Sequence, residues 1–210
     1  MARIAVVTGA AGGMGRAITA RLLEDGLQVV GVDIDAPALL MMAADLGAGF
    51  SAEAVDLTDA EAIADLFDRL VTRHGGVDVL VNNAGTCFMS DFPDIPAGEF
   101  ERQMAVNFGS AFHCCQGAVK AMLSRPGGRK IVNISSNGAY NFDVFDPPHY
   151  RASKAAMDTL TKDLARRYAR EKIAVNSIAP AMTETPLFNV LSEEVLARAI
   201  SAMPHGVAMQ

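Results

Sequence analysis

Tryptophan is absent from the 210 residues, and cysteine occurs only three times, as Cys87, Cys114 and Cys115. An odd number of cysteines without paired CxxC spacing makes neither a disulfide framework nor a zinc site, and it suits a reducing compartment. His113 beside Cys114 and Cys115 admits a metal reading. Against it stands a helix facing a packed interior, where free cysteine behaves as a small hydrophobe. The second is expected, and no metal site is assigned. Net charge is −6 with no block of Lys and Arg. Lacking both a basic patch and Trp for base stacking, the chain is not expected to bind nucleic acid. No stretch reaches the ~18 unbroken apolar residues of a membrane span. The apolar part of "MARIAVVTGAAGG", residues 4–7, falls short of the ~7–15 residues of a secretion signal. A cytoplasmic protein is expected.

What is present is ordinary globular composition, 50% hydrophobic and 20% charged. That is enough for one domain, residues 1–210, with a substantial core. Apolar, β-branched runs at 4–8, 28–33, 49–56, 77–82, 130–135 and 173–178 read as strands buried on both faces. Helical patterns lie between them at 15–25, 36–46, 59–73, 98–124 and 150–171. Asp59 suits a helix N-cap, and Gly75-Gly76 suit a helix stop. Alternating strand and helix predict an α/β fold, a doubly wound parallel sheet in the order 3-2-1-4-5-6.

The first strand runs into "TGAAGGMG", residues 8–15. Gly9, Gly13 and Gly15 let the chain turn tightly and approach a pyrophosphate, whose charge the N–H groups at the helix start would hold. Met14, Gly15 and Arg16 stand where a triphosphate-binding loop needs Gly-Lys-Ser/Thr, which disfavours triphosphate hydrolysis. A plain turn, or another ligand of the same fold such as a methyl donor, fits the glycines too. Asp33 ends the second strand, where a carboxylate accepts hydrogen bonds from a ribose. "GVDIDAP" offers no Arg or Lys for a 2′-phosphate, so NAD is expected over NADP. The other reading of Asp33 is a capping or turn aspartate, with Asp35 and Pro37 close by.

Together these residues resemble the short-chain dehydrogenase/reductase family over nearly the whole chain. "TGAAGGMG" fits its TGxxxGxG turn, "DLTD" (56–59) its adenine-contacting segment and "NNAG" (82–85) its signature after the fourth strand. "VN" (106–107), "IVNISS" (131–136), "YRASK" (150–154) and "VNSIAPAMTET" (175–185) follow in the family's order. The resemblance implies NAD-dependent interconversion of a secondary alcohol and a ketone by hydride transfer. It implies cofactor contacts at Gly9, Gly13, Met14, Gly15, Asp33, Asp56, Leu57, Asn83, Ala84, Gly85, Tyr150, Lys154, Pro180, Thr183 and Thr185. It also implies Asn107, Ser136, Tyr150 and Lys154 as the catalytic set.

On a helix, Tyr150 and Lys154 share one face. A free tyrosine titrates near pH 10, and lowering it by ~3 units requires ~4 kcal/mol. A positive charge ~4 Å away supplies about that at an effective dielectric of ~20. Tyr150 is therefore expected as general acid/base, with Lys154 lowering its pKa and, by resemblance, holding the nicotinamide ribose. Ser136 would donate to the substrate oxygen, with Ser135 as the alternative. By resemblance, Asn107 would hold a relay water; its other reading is a buried structural amide.

The pocket is expected around Cys87, Phe88, residues 137–149 and residues 181–203, including Asn137, His149 and Ala181. Tyr140, Phe142, Phe145, His149 and Phe188 suggest an apolar or aromatic substituent. Ala181 replaces the family's usual glycine after Pro180. The chain stops where relatives continue through another helix and a seventh strand, so the sixth strand is expected to be a poorly covered sheet edge. By resemblance, a homodimer or homotetramer forms through the helices at 98–124 and 150–171. A rival reading is a dinucleotide-sensing protein with little turnover.

Overall fold

The computed structural model describes residues 2–141, 146–183 and 193–201. Six strands, β1 (Ile4–Thr8), β2 (Gln28–Asp33), β3 (Phe50–Ala54), β4 (Val79–Asn82), β5 (Arg129–Ile134) and β6 (Ile173–Ile178), form one parallel sheet. Its order is β3-β2-β1-β4-β5-β6, the order expected. The helices are α1 (Gly13–Glu24), α2 (Ala36–Leu46), α3 (Ala60–His74), α4 (Ala97–Met104), α5 (Ser110–Leu123), α6 (Pro148–Arg167) and α7 (Glu193–Ser201). Among the described residues no helix is long and apolar enough to cross a membrane.

All five residues of β1 are buried, so alternate side chains enter two cores. Ile4 and Val6 join Leu66, Leu70, Leu80, Met122 and Ile131 under α3, α5 and α6. Ala5 and Val7 join Val29, Leu39, Met42, Phe50 and Ile134 under α1 and α2. Cys114 and Cys115 lie in the first core, on the buried face of α5. Asp59 caps α3 by accepting from the Glu61 and Ala62 amides, and Gly75 ends that helix at φ +74°.

At the amino-terminal ends of the strands, Arg125 and Asp78 form a buried ion pair. Asp78 also accepts the Ile4 amide, and Arg125 donates to the carbonyls of Ala2 and His74.

Two expectations need correction. The helix expected over 98–124 is interrupted by one π turn, Ala105–Gly109, between α4 and α5. The edge strand β6 is also better covered than expected. Ile173 and Val175 are 1% and 5% exposed, beneath Leu160, Leu164 and Tyr168, whereas Ile178 is 55% exposed.

Candidate active site

The sheet order reverses between β1 and β4, and strands that diverge there leave a crevice beyond their carboxyl ends. A cleft of about 1100 Å³ opens there, lined by Gly9, Gly13, Met14, Asp33, Asp56, Leu57, Asn83, Ala84 and Gly85. Gly9 has φ +62°, and a side chain there would stand 2.9 Å from Ala84 Cα. Gly15 works beneath the cleft: a methyl group on it would lie 2.0 Å from the Gly9 carbonyl oxygen, so its bareness lets α1 seat against the turn. Arg16 Nε donates to the Ala11 carbonyl at 2.9 Å, which ties it to the turn.

Asp33 serves as the turn aspartate that one of its readings expects. Its carboxylate faces the cleft and also accepts the amides of Ala11 (3.0 Å) and Asp35 (3.1 Å), joining the end of β2 to the glycine turn. Asp56 accepts the amide and hydroxyl of Thr58, which together hold its carboxyl below the usual range. Thr8, unremarked in the sequence, ties the two halves together. Its Oγ1 accepts the Asn83 and Ala84 amides at 3.0 and 3.1 Å. Asn83 returns the link by donating from Nδ2 to the carbonyls of Thr8 and Gly9, both at 3.0 Å.

Asn107 sits fully buried in the π turn, and its side chain clamps residue 86. Oδ1 accepts the Thr86 amide at 2.8 Å; Nδ2 donates to the Thr86 carbonyl and to Ser153 Oγ at 2.9 and 3.1 Å. Gln103, one turn earlier, repeats the device by accepting the Phe88 amide at 3.0 Å and donating to the Thr86 carbonyl at 2.7 Å. Two amides on one helical face were a signal for Gln103, but their shared target after β4 is a tertiary feature.

Tyr150 and Lys154 share a face of α6, with Nζ 5.9 Å from the ring centroid. Lys154 is buried, and Nζ donates to the Ile134 carbonyl at 2.8 Å. A methyl group on Gly85 would stand 3.5 Å from both Nζ and Asn107 Oδ1, so these groups meet at the cleft wall. Burial lowers the Lys154 ammonium to about 8, with Cys87 and Asp158 opposing. For Tyr150 the expected direction is reversed. Burial pushes the phenol above its ordinary value; a hydrogen bond with Ser136 opposes this, and Asp146 and Cys87 add to the rise. Desolvation of the phenolate outweighs the stabilising bond from Ser136.

The two serines separate cleanly. Ser136 bonds to Tyr150 and accepts the Gly138 amide at 3.1 Å. Ser135 is buried and donates to Asp158 at 2.9 Å. Continuing past the sheet, Asn137 N–H donates to the Pro180 carbonyl at 2.9 Å, which brings the Pro180 segment alongside Ser136. Thr183 Oγ1 donates to the Ala181 carbonyl at 3.1 Å.

Among the expected pocket residues, Cys87 is electrostatically coupled to Lys154 and Tyr150, and burial pushes its thiol up to about 12. His149 is a correction. It is buried at the first turn of α6, with Nε2 3.2 Å from Glu99 on α4, because the turn that aims Tyr150 at the cleft aims its neighbour at that helix. Tyr140 is 55% exposed. Phe142, Phe145, Thr185 and Phe188 lie outside the described residues.

Residues 3–196 match the family model described as short chain dehydrogenase. The chain is 36% identical over 192 residues to D-beta-hydroxybutyrate dehydrogenase of Rhizobium meliloti (strain 1021), covering 89% of this chain and 74% of that protein. It is 33% identical over 184 residues to 2-dehydro-3-deoxy-D-gluconate 5-dehydrogenase of Escherichia coli (strain K12), covering 87% and 72%. Its fold is similar to a crystal structure of 3-ketoacyl-(acyl-carrier-protein) reductase from Brucella melitensis complexed with NADH. The TM-score there is 0.88 at 25% identity, over 99% of this chain and 85% of that one.

Proposed function

Because this chain belongs to the short-chain dehydrogenase family, we propose that it is an NAD(H)-dependent oxidoreductase interconverting a secondary alcohol and a ketone. The observation that carries the reading is the grouping of Ser136, Tyr150 and Lys154, with the Lys154 ammonium beside Gly85 of the glycine-lined cleft.

The residues present fit a dinucleotide. Gly9, at positive φ and packed on Ala84, makes the tight turn into α1, and no side chain caps that helix, so its first amides are left to meet a phosphate. Asp33 offers acceptor oxygens at the place of the adenosine ribose and would repel a 2′-phosphate, which supports NAD over NADP. When bound, the nicotinamide accepts or supplies the hydride. Ser136 Oγ donates to the substrate oxygen, stabilising the charge that gathers there. Tyr150, a neutral phenol held by Ser136, gives its proton to that oxygen in reduction and takes it back in oxidation. The Lys154 ammonium, fixed on the Ile134 carbonyl, favours the phenolate left behind. Asn107 and Gln103 hold residues 86 and 88 as the floor of the site.

Phe100 on α4 and Phe112 on α5, 48% and 37% exposed, support pairing of these helices with a second copy, as a homodimer or homotetramer.

Tyr150→Phe tests the mechanism, because it removes the transferable proton and keeps the ring. The expected result is NAD binding retained with turnover lowered roughly 10²–10⁴-fold. Near-wild-type turnover would eliminate Tyr150 as the acid/base. A wild-type protein that binds NAD yet turns over no alcohol or ketone would instead be a dinucleotide sensor.

A further inference from the structure

Asp146 precedes Pro147 and Pro148 at the start of α6, where an aspartate would ordinarily serve the helix end. Here Pro147 is the cap residue and no side chain caps the helix. Arg151 engages the main chain of the preceding loop. Nε donates to the Asp146 carbonyl at 2.7 Å, and Nη1 donates to the carbonyls of Asn141 (2.7 Å) and Gly138 (3.3 Å). These bonds hold Asn141 and Asp146 beside Gly138. A methyl group on Gly138 would lie 2.0 Å from Asp146 Oδ2 and 3.4 Å from Ser136 Oγ. The carboxylate therefore stands beside the serine that faces the substrate oxygen, on a glycine whose missing side chain makes room for it.

Its charge reaches the reacting groups, since Asp146 contributes to the upward shifts of both Tyr150 and Cys87. Burial raises the Asp146 carboxyl itself, and Arg151 opposes. Among the described residues no hydrogen bond engages this carboxylate. A partly desolvated acceptor without a donor is unfavourable until one arrives. A second anion in the same place would meet like charge that solvent only partly screens.

Resting on the alcohol–ketone reading above, we propose that Asp146 selects substrates bearing a hydrogen-bond donor, hydroxyl or ammonium, close to the reacting carbinol, and rejects those bearing a carboxylate there. Vicinal diols and 1,2-amino alcohols, with their ketone forms, are the classes it fits.

The test is a matched series, CH3–CHOH–CH2–X: 1,2-propanediol, 1-amino-2-propanol, 2-butanol and 3-hydroxybutyrate. Wild-type kcat/KM is expected to be about tenfold or more higher for the diol and amino alcohol than for 2-butanol, with 3-hydroxybutyrate lowest. In Asp146→Asn the ammonium-to-carboxylate ratio should collapse by at least tenfold. Asp146→Glu, which keeps the charge, should preserve the order. A ratio within one variant cancels general damage to it, and if Asp146→Asn does not fold, the wild-type order decides. A wild-type preference for the methyl or carboxylate member, or an unchanged ratio in Asp146→Asn, would overturn the assignment. So would inactivity on all four beside activity on other alcohols. Inactivity on every alcohol and ketone tried would instead remove the oxidoreductase reading beneath it. Preference between diol and amino alcohol tells which donor is read.

Discussion

Lys154 Nζ lies 5.9 Å from the centroid of the Tyr150 ring while donating to the Ile134 carbonyl at 2.8 Å. The ammonium is thus held beside the phenol by the sheet and has little freedom to follow it. With the phenol raised by burial and the ammonium lowered to about 8, neutral solution holds Tyr150 protonated and Lys154 charged.

That pairing sets a pH dependence. Under the proposed mechanism reduction needs the neutral phenol and the ammonium, so its kcat/KM should stay flat below about pH 8 and fall above it as Lys154 loses its proton. Oxidation needs the phenolate with the ammonium. Its kcat/KM should climb as the phenolate fraction grows and level near pH 8, where loss of the ammonium offsets that growth. Lys154→Met should remove the break near pH 8 from both profiles, and a break that persists in this variant would assign the titration to another group.

Cofactor preference is expected to turn on Asp33 and its neighbour. Asp33→Ala with Ile34→Arg replaces the acceptor by a cation at an exposed position on the cleft wall. The ratio of KM values for NADP and NAD should move by at least tenfold toward NADP. Because Asp33 also holds the Ala11 amide, affinity for NAD should fall in the single Asp33→Ala variant too. An unchanged ratio in the double variant would contradict the assignment of this end of the cleft to the ribose.

Gln103→Leu keeps the buried volume and strips both hydrogen bonds to residues 86 and 88. The orphaned Phe88 amide should lower stability by ~1–3 kcal/mol. The melting temperature should fall by roughly 2–4 °C for each kcal/mol. A drop in kcat beyond what unfolding explains, measured well below the melting temperature, would report displacement of the site's floor.

Arg125→Met leaves the Asp78 carboxylate buried without its ion partner, which should cost ~3–5 kcal/mol in denaturant unfolding at neutral pH. Burial pushes the Asp78 carboxyl up, but Arg125 and the Ile4 amide outweigh it, and the folded value lies below the unfolded one. The stability from this group is therefore fully present above the unfolded value, ~3.9, and is lost as pH falls through the folded one. The gap between wild type and Asp78→Asn should accordingly narrow in acid.

Much of the fold is legible in the sequence. Strands β1, β2 and β6 and helix α2 have the ends their patterns suggest, because short β-branched runs stand out from their flanks, although β6 is buried on one face only where burial on both is expected. The glycine turn is legible for the same kind of reason: no other residue tolerates φ +62° against Ala84. The π turn is not legible, since one extra residue in a helix changes neither composition nor the run of apolar side chains around Val106 and Phe108. The clamp role of Asn107 depends on Thr86 arriving from a different element. The place of Asp146 depends in the same way on Gly138, whose missing side chain it occupies. The Tyr150 shift comes out opposite to expectation because sequence spacing reveals a neighbouring charge but not the loss of water around the ring.

The grip of Gln103 and Asn107 on the segment after β4 has a consequence for how such a catalyst diversifies. Every contact they make to residues 86 and 88 is to main-chain N–H or C=O, groups that every residue except proline presents alike. Side chains there, with Cys87 between them, are therefore free to be exchanged while the scaffold keeps its aim. New preferences for what is oxidised or reduced can be tried at that wall without renegotiating the machinery behind it.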